Sequence, residues 1–250
     1  SIIFMVKADK QEQARHVLTR LAPEANVTAT TPLELSKAEV PESATVANLF
    51  KKGRATNTLL FWLAFFMCLL TMYALGSWMP KLMMAAGYSM GSSLLFLLAM
   101  NIGAVIGTVS GGMLADRFHL KPVIMVLGVV GAIVLSLLGF EPPQVALYLM
   151  IALAGAASIG SQILLYSYVA QYYPVAVRST GIGWASAVGR SGAIIGPILI
   201  GMLLGMDLPH QYNFIAVGIP LLVVAIAVTL ISKQDQAEEV EVKTAAVARN

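Results

Sequence analysis

The sequence predicts an all-α membrane protein with six transmembrane helices. Three observations predict it. Of the 250 residues, 58% are hydrophobic and only 12% are charged, whereas a soluble domain carries about 25% charged residues. Mean hydropathy is +0.77, and the apolar residues gather into runs of the roughly 20 residues that a helix needs to cross a hydrocarbon core. The basic residues fall almost entirely on one side of those runs. Helices are expected because every backbone group in lipid must bond within its own segment. Barrel strands would be shorter and would alternate.

The six runs are Asn57–Trp78, Ser92–Ala115, Pro122–Gly139, Val145–Gln171, Ser179–Leu204 and Tyr212–Ile231. Their breaks are "MPKLMMAAGYSMG", "DRFHLK", "FEPPQ", "YYPVAVR" and "GMDLPHQ". Six spans put both ends on one side. That side holds Lys51, Lys52, Arg54, Arg117, Lys121, Arg178 and Lys233, and the opposite loops hold only Lys81. Positive residues stay inside, so both ends are expected to be cytoplasmic.

Three segments follow. Residues 1–54 read as a cytoplasmic loop with a short amphipathic helix, residues 55–232 as the six-helix unit, and residues 233–250 as a disordered cytoplasmic tail. The opening "SIIFMV" reads as the end of a preceding helix, so the chain is expected to be part of a longer polypeptide.

Several function classes drop out. Cys68 is the single cysteine, and His16, His119 and His210 are far apart, which argues against a structural metal. No cofactor is implied. There is no G-x-S-x-G and no phosphate-cradling P-loop, so no enzyme or ATP-driven activity is expected within the chain. No basic stripe interleaved with aromatics points to nucleic acid. The partner that remains is the lipid bilayer.

Gly103, Gly107 and Gly111 recur every four residues in the second run. Such a ridge lets another helix backbone come close. It leads into "GGMLADRFHLKP", where Asp116, Arg117 and Lys121 sit at a sharp turn between two spans. Asp116 could bind helix ends or nearby cations in one conformation and release them in another. An ordinary surface cluster is the alternative.

The pattern G-x-x-x-D-R-x-x-x-K, between the second and third of six spans, resembles the signature loop of the major facilitator superfamily. That family places a Gly two residues after the Arg, where this chain has His119. "QYYPVAVRSTGIGWASAVGRSGAIIGPILIG" and "YALGSWMPKLM" together resemble the aromatic acid:proton symporters within it. The resemblance implies one half of a twelve-helix fold, with the missing N-terminal six-helix half as partner. It implies proton-coupled uptake of a small aromatic carboxylate such as a benzoate or hydroxybenzoate, by alternating access, in a bacterial inner membrane. A sugar or drug carrier of the same fold, and a six-span scaffold or sensor, are the competing functions.

Arg190 stands near the middle of the fifth run. A charge there costs at least about 2.5–3.5 kcal/mol on insertion scales. Gly183, Ser186, Ala187 and Ala193 share its helical face and leave room beside it. Between Asn57 and Leu204 the acids are Asp116 and Glu141, both in loops. The answering anion is therefore a substrate carboxylate or an acid of the absent half, unless the guanidinium is simply hydrated at a helix contact. A planar fork of donors suits a carboxylate.

The fourth run carries a polar stripe, Ser158, Ser161, Gln162 and Tyr166. The resemblance places that helix at the central cavity, so Gln162 and Tyr166 are candidates to bind ring substituents, with interhelix bonding as the alternative. Tyr73 is the candidate to stack on the substrate ring, with lipid-facing or interfacial packing as the alternative. Asn101 reads as a helix–helix bond. Tyr168, Tyr172 and Tyr173 read as interfacial anchors. If coupling to protons holds, the titrating acid is expected in the other half.

Overall fold

The structure, a computed structural model, describes residues 45–51, 53–85, 87–140, 142–206 and 208–232. The expected amphipathic helix near the N-terminus, Lys52, Glu141, Lys233 and the C-terminal tail lie outside the described residues. A 3-10 turn at Val46–Leu49 precedes six helices: α1 Ala55–Ala85, α2 Met90–Phe118, α3 Leu120–Leu138, α4 Gln144–Tyr172, α5 Val175–Leu204 and α6 His210–Leu230. Among the described residues there is no strand. All six helices are long and apolar enough to cross a membrane, and the chain is a multi-pass membrane protein.

The helices run longer than the apolar runs. α1 continues past Trp78 and takes Pro80 inside it. Proline removes one ladder bond, but Met79, Leu82 and Met83 are fully or almost fully buried here. Their packing keeps the chain helical through a stretch that reads as a break.

The main pairings are α1 with α5, α2 with α4, and α3 with α6, followed by α3 with α4 and α1 with α6. Exchanging the first three helices for the last three, in order, maps this set onto itself. Glycine makes both lateral pairings possible. A Cβ on Gly103 or Gly107 of α2 would strike the backbone of Ala152 or Ala156 on α4. A Cβ on Gly192 or Gly196 of α5 would strike the carbonyls of Phe66 or Leu70 on α1. α1 and α4 sit centrally, α3 and α6 behind them, and α2 and α5 on the flanks. The flanks are the least covered: 22% of the α5 span and 33% of the α2 span are buried, against 61% for α4.

One end of the bundle is held by polar contacts, and we call it the basic end. Asn57 Nδ2 donates to Tyr172 Oη at 2.6 Å, and Asn57 Oδ1 accepts from the Ser232 amide at 3.2 Å. Thr58 Oγ1 meets Tyr173 Oη at 2.8 Å. Tyr173 is 2% exposed, and burial raises its phenol above the ordinary value. Tyr172 and Tyr173 therefore clasp α1 to α4, and Asn57 also clasps α1 to the chain just after α6. Residues before α1 also join the bundle: Leu49 is fully buried, and the Arg54 guanidinium donates to Asn48 O at 2.8 Å. Arg54 is 2% exposed, so it does not sit on the loop surface.

Candidate functional site

α5 contains 30 residues, Val175 to Leu204. Arg190 is close to its centre, about 20 Å from either end at 1.5 Å per residue. No hydrogen bond or ion pair holds Arg190 to any described residue, and its side chain is exposed. Gly189, Gly192 and Gly196 bracket it in sequence and face α1. Ser186, one turn earlier, faces α4, where its Oγ lies 3.0 Å from Tyr166 Oη. Four residues advance a helix by about 40° beyond a full turn, so Arg190 points to the same flank as Ser186 and away from the glycine seam. Two turns nearer the basic end on the same face the surface is open, since a Cβ on Gly183 would meet nothing within 4 Å.

The two tyrosine candidates lie on the neighbouring helices. Tyr166 packs edge-on against Phe65 of α1, with ring centroids 4.9 Å apart at 88°. It lies one turn nearer the basic end than Arg190. Tyr73 is 46% exposed. It lies one turn beyond Leu69 and Leu70, the residues that face Gly189 and Gly196, and so one turn farther from the basic end. Tyr166, Arg190 and Tyr73 thus stand at successive depths on α4, α5 and α1, and among the described residues no hydrogen bond or ring contact joins Tyr73 to either of the others.

Gln162 differs from them. It is 5% exposed, and neither its amide nitrogen nor its oxygen has a hydrogen-bond partner among the described residues. It lies in the seam rather than on the open face. Ser161 Oγ is likewise buried without a partner, and Ser158 bonds back to Ala154 O at 2.8 Å. Of the stripe's side chains only Tyr166 makes an interhelix bond, while the Ser158 carbonyl accepts from Cys68 Sγ of α1 at 3.2 Å. Asn101 also departs from expectation: its Nδ2 donates to Leu97 O of its own helix at 2.8 Å. An exposed amide in an apolar span can satisfy itself that way.

At the basic end, α2 and α3 are joined by His119 alone. Its φ of 68° is the only positive value on a non-glycine residue among those described, and it falls where the signature pattern has Gly. The turn divides the loop's charges. Lys121 Nζ reaches Ile231 O at the end of α6, at 2.6 Å. Arg117 lies 5.4 Å from the Phe118 ring centroid. Asp116 is exposed and lines a cleft of about 330 Å³ with His119, Ser167 and Gln171. It forms no ion pair with a described residue.

Sequence reasoning missed Ser186 as the partner of Tyr166, although its place one turn before Arg190 was a usable signal. It also missed Phe65 beneath the Tyr166 ring, for which the sequence holds no signal.

Comparison with known proteins bears on the family. The Major Facilitator Superfamily model matches residues 61–248. The benzoate transport protein of Acinetobacter baylyi is 46% identical over 233 residues, covering 93% of this chain and 50% of the relative. The gentisate transporter of Corynebacterium glutamicum is 43% identical over 172 residues, 68% of this chain and 38% of the relative. The 4-hydroxybenzoate transporter PcaK of Pseudomonas aeruginosa is 30% identical over 229 residues, 91% and 51% respectively. The chain spans about half the length of the curated relatives it matches. Six apolar helices in this packing, the signature turn at Asp116 and Arg117, and a family match over most of the length lead to one conclusion: the chain belongs to the major facilitator superfamily.

Proposed function

We propose that this chain is the C-terminal half of a secondary transporter that imports a small aromatic carboxylate together with a proton, by alternating access, across a bacterial inner membrane. The basic end would be cytoplasmic, with both ends of the chain on that side. The observation that carries the reading is Arg190, an exposed guanidinium at mid-span with no hydrogen-bond or ion-pair partner among the described residues. Its fork would bind the carboxylate. Tyr166, held by Ser186 and Phe65, would contact the ring from the cytoplasmic side, and Tyr73 from the other. Gln162 would reach the substrate only if the seam around it opens during the cycle. The names of the relatives support the substrate class, since benzoate, gentisate and 4-hydroxybenzoate are all aromatic carboxylates.

Lys121, by binding the Ile231 carbonyl just after α6, would set how far that end can part from the signature turn. Asp116 and Arg117 would act on the missing half as the cytoplasmic face opens and closes. Among the described residues the spans hold no carboxylate at mid-depth, so the proton-coupling acid would belong to the other half.

Uptake of labelled benzoate by the full-length protein tests this. Hydrogen bonds to a charged group contribute about 1.5–3 kcal/mol, and about 1.4 kcal/mol is tenfold. Arg190→Ala should therefore raise KM by roughly 10- to 100-fold, with normal membrane insertion. Arg190→Lys keeps the charge but loses the fork, and should fall between the two. Wild-type uptake in Arg190→Ala would exclude the role.

A further inference from the structure

Two prolines interrupt neighbouring helices at the end opposite the basic end: Pro80 inside α1 and Pro197 inside α5. Neither has an N–H to give four residues back, so the carbonyls of Gly76 and Ala193 lose their helical donors. A helix bends most readily where a ladder bond is missing. Trp78 lies between the two breaks. Its indole N–H donates to Pro197 O at 2.8 Å. Its ring covers Gly201, where a Cβ would meet Trp78 Cζ2 at 3.2 Å. Lys81 holds its ammonium 4.4 Å from the indole centroid, which favours one ring orientation.

The tie has a defined place relative to the site. Trp78 comes five residues after Tyr73, and Pro197 seven after Arg190. Below it, α1 and α5 meet at glycines, backbone against backbone, in contacts that can slide. The indole bond instead joins one fixed donor to one fixed acceptor, so it sets the register between the helix that carries Tyr73 and the helix that carries Arg190.

We propose that Trp78 is a positioning residue that binds the part of α5 beyond Pro197 to α1, so that the ends of both helices bend as one unit when the site opens on that side. This rests on the transport reading above. Without the tie, α5 would bend at Pro197 alone, and opening would no longer move Arg190 and Tyr73 together.

Two measurements on the full-length protein test it. Hydrogen exchange needs no substrate. In Trp78→Phe, which keeps a ring but removes the donor, amides of residues 198–204 should exchange at least fivefold faster, with α3 unchanged. In benzoate uptake, Vmax per folded transporter should fall at least threefold while KM stays within twofold. Trp78→His, which keeps a ring N–H, should recover part of both. Unchanged exchange in Trp78→Phe would overturn the tie. Faster exchange with wild-type Vmax would overturn the positioning role, and a raised KM at constant Vmax would make Trp78 a substrate contact instead. If the wild type imports no benzoate, the transport reading fails by itself, and the exchange result still decides whether Trp78 holds the segment.

Discussion

Gly192→Ala isolates what the glycine seam between α1 and α5 contributes. An added Cβ would strike the carbonyl oxygen of Phe66, with Leu70 N at 3.2 Å. Both are helix backbone, so no side chain can turn away, and α5 must retreat by about 1 Å. A gap of that size forfeits between a quarter and a half of each contact's 0.1–0.2 kcal/mol. If about 40 atom pairs are affected, as many as one buried leucine makes, the loss is about 1–4 kcal/mol, overlapping the roughly 1–3 kcal/mol typical of overpacking. Two neighbours calibrate it. At Gly189 a Cβ would meet Leu69 Cδ1 at 2.6 Å, the far end of a flexible side chain, so Gly189→Ala should cost less. At Gly183 nothing lies within 4 Å, so Gly183→Ala should be neutral. The assay is thermal unfolding of the purified full-length protein in detergent. A loss of 1 kcal/mol lowers Tm by about 2–4 °C for a unit of this size. The order of loss should be 192, then 189, then 183. Equal melting of Gly192→Ala and Gly183→Ala would refute the seam.

Two further predictions concern the basic end. His119→Gly removes a side chain from positive-φ, extended backbone (φ 68°, ψ 157°) that costs a non-glycine residue about 1–3 kcal/mol, so it should raise Tm; a fall would mean that the His119 side chain stabilises the turn by more than the strain costs. Asn57→Ala removes the hydrogen bonds to the half-buried Tyr172 hydroxyl and the exposed Ser232 amide, worth about 0.5–1.5 kcal/mol each. Faster hydrogen exchange at residues 226–232 should report the loosened end of α6, and unchanged protection there would show that the clasp does not hold it.

Much of the candidate site was legible in the sequence because its signal is local. Arg190 stands out since a charge is costly wherever an apolar run of that length folds. Tyr73 and Tyr166 stand out as polar groups on apolar helices. What was not legible is which of them face the opening. Gln162 and Tyr166 are one turn apart in the same stripe, yet one is enclosed without a partner and the other meets Ser186. The difference depends on where α1 and α5 lie against α4, and no spacing within α4 contains it.

By itself the sequence determined the six helices, the basic end, and the isolated guanidinium at mid-span. Hydropathy and charge act along the chain, and lipid enforces them helix by helix. Only the tertiary structure decided that Pro80 stays within a helix, that Arg54 is buried, and that His119 takes a glycine's conformation. It alone paired Asn57 with Tyr172 and Trp78 with Pro197. Those partners are more than 100 residues apart, and their contacts exist only after close backbone approach at glycine has set where each helix stands.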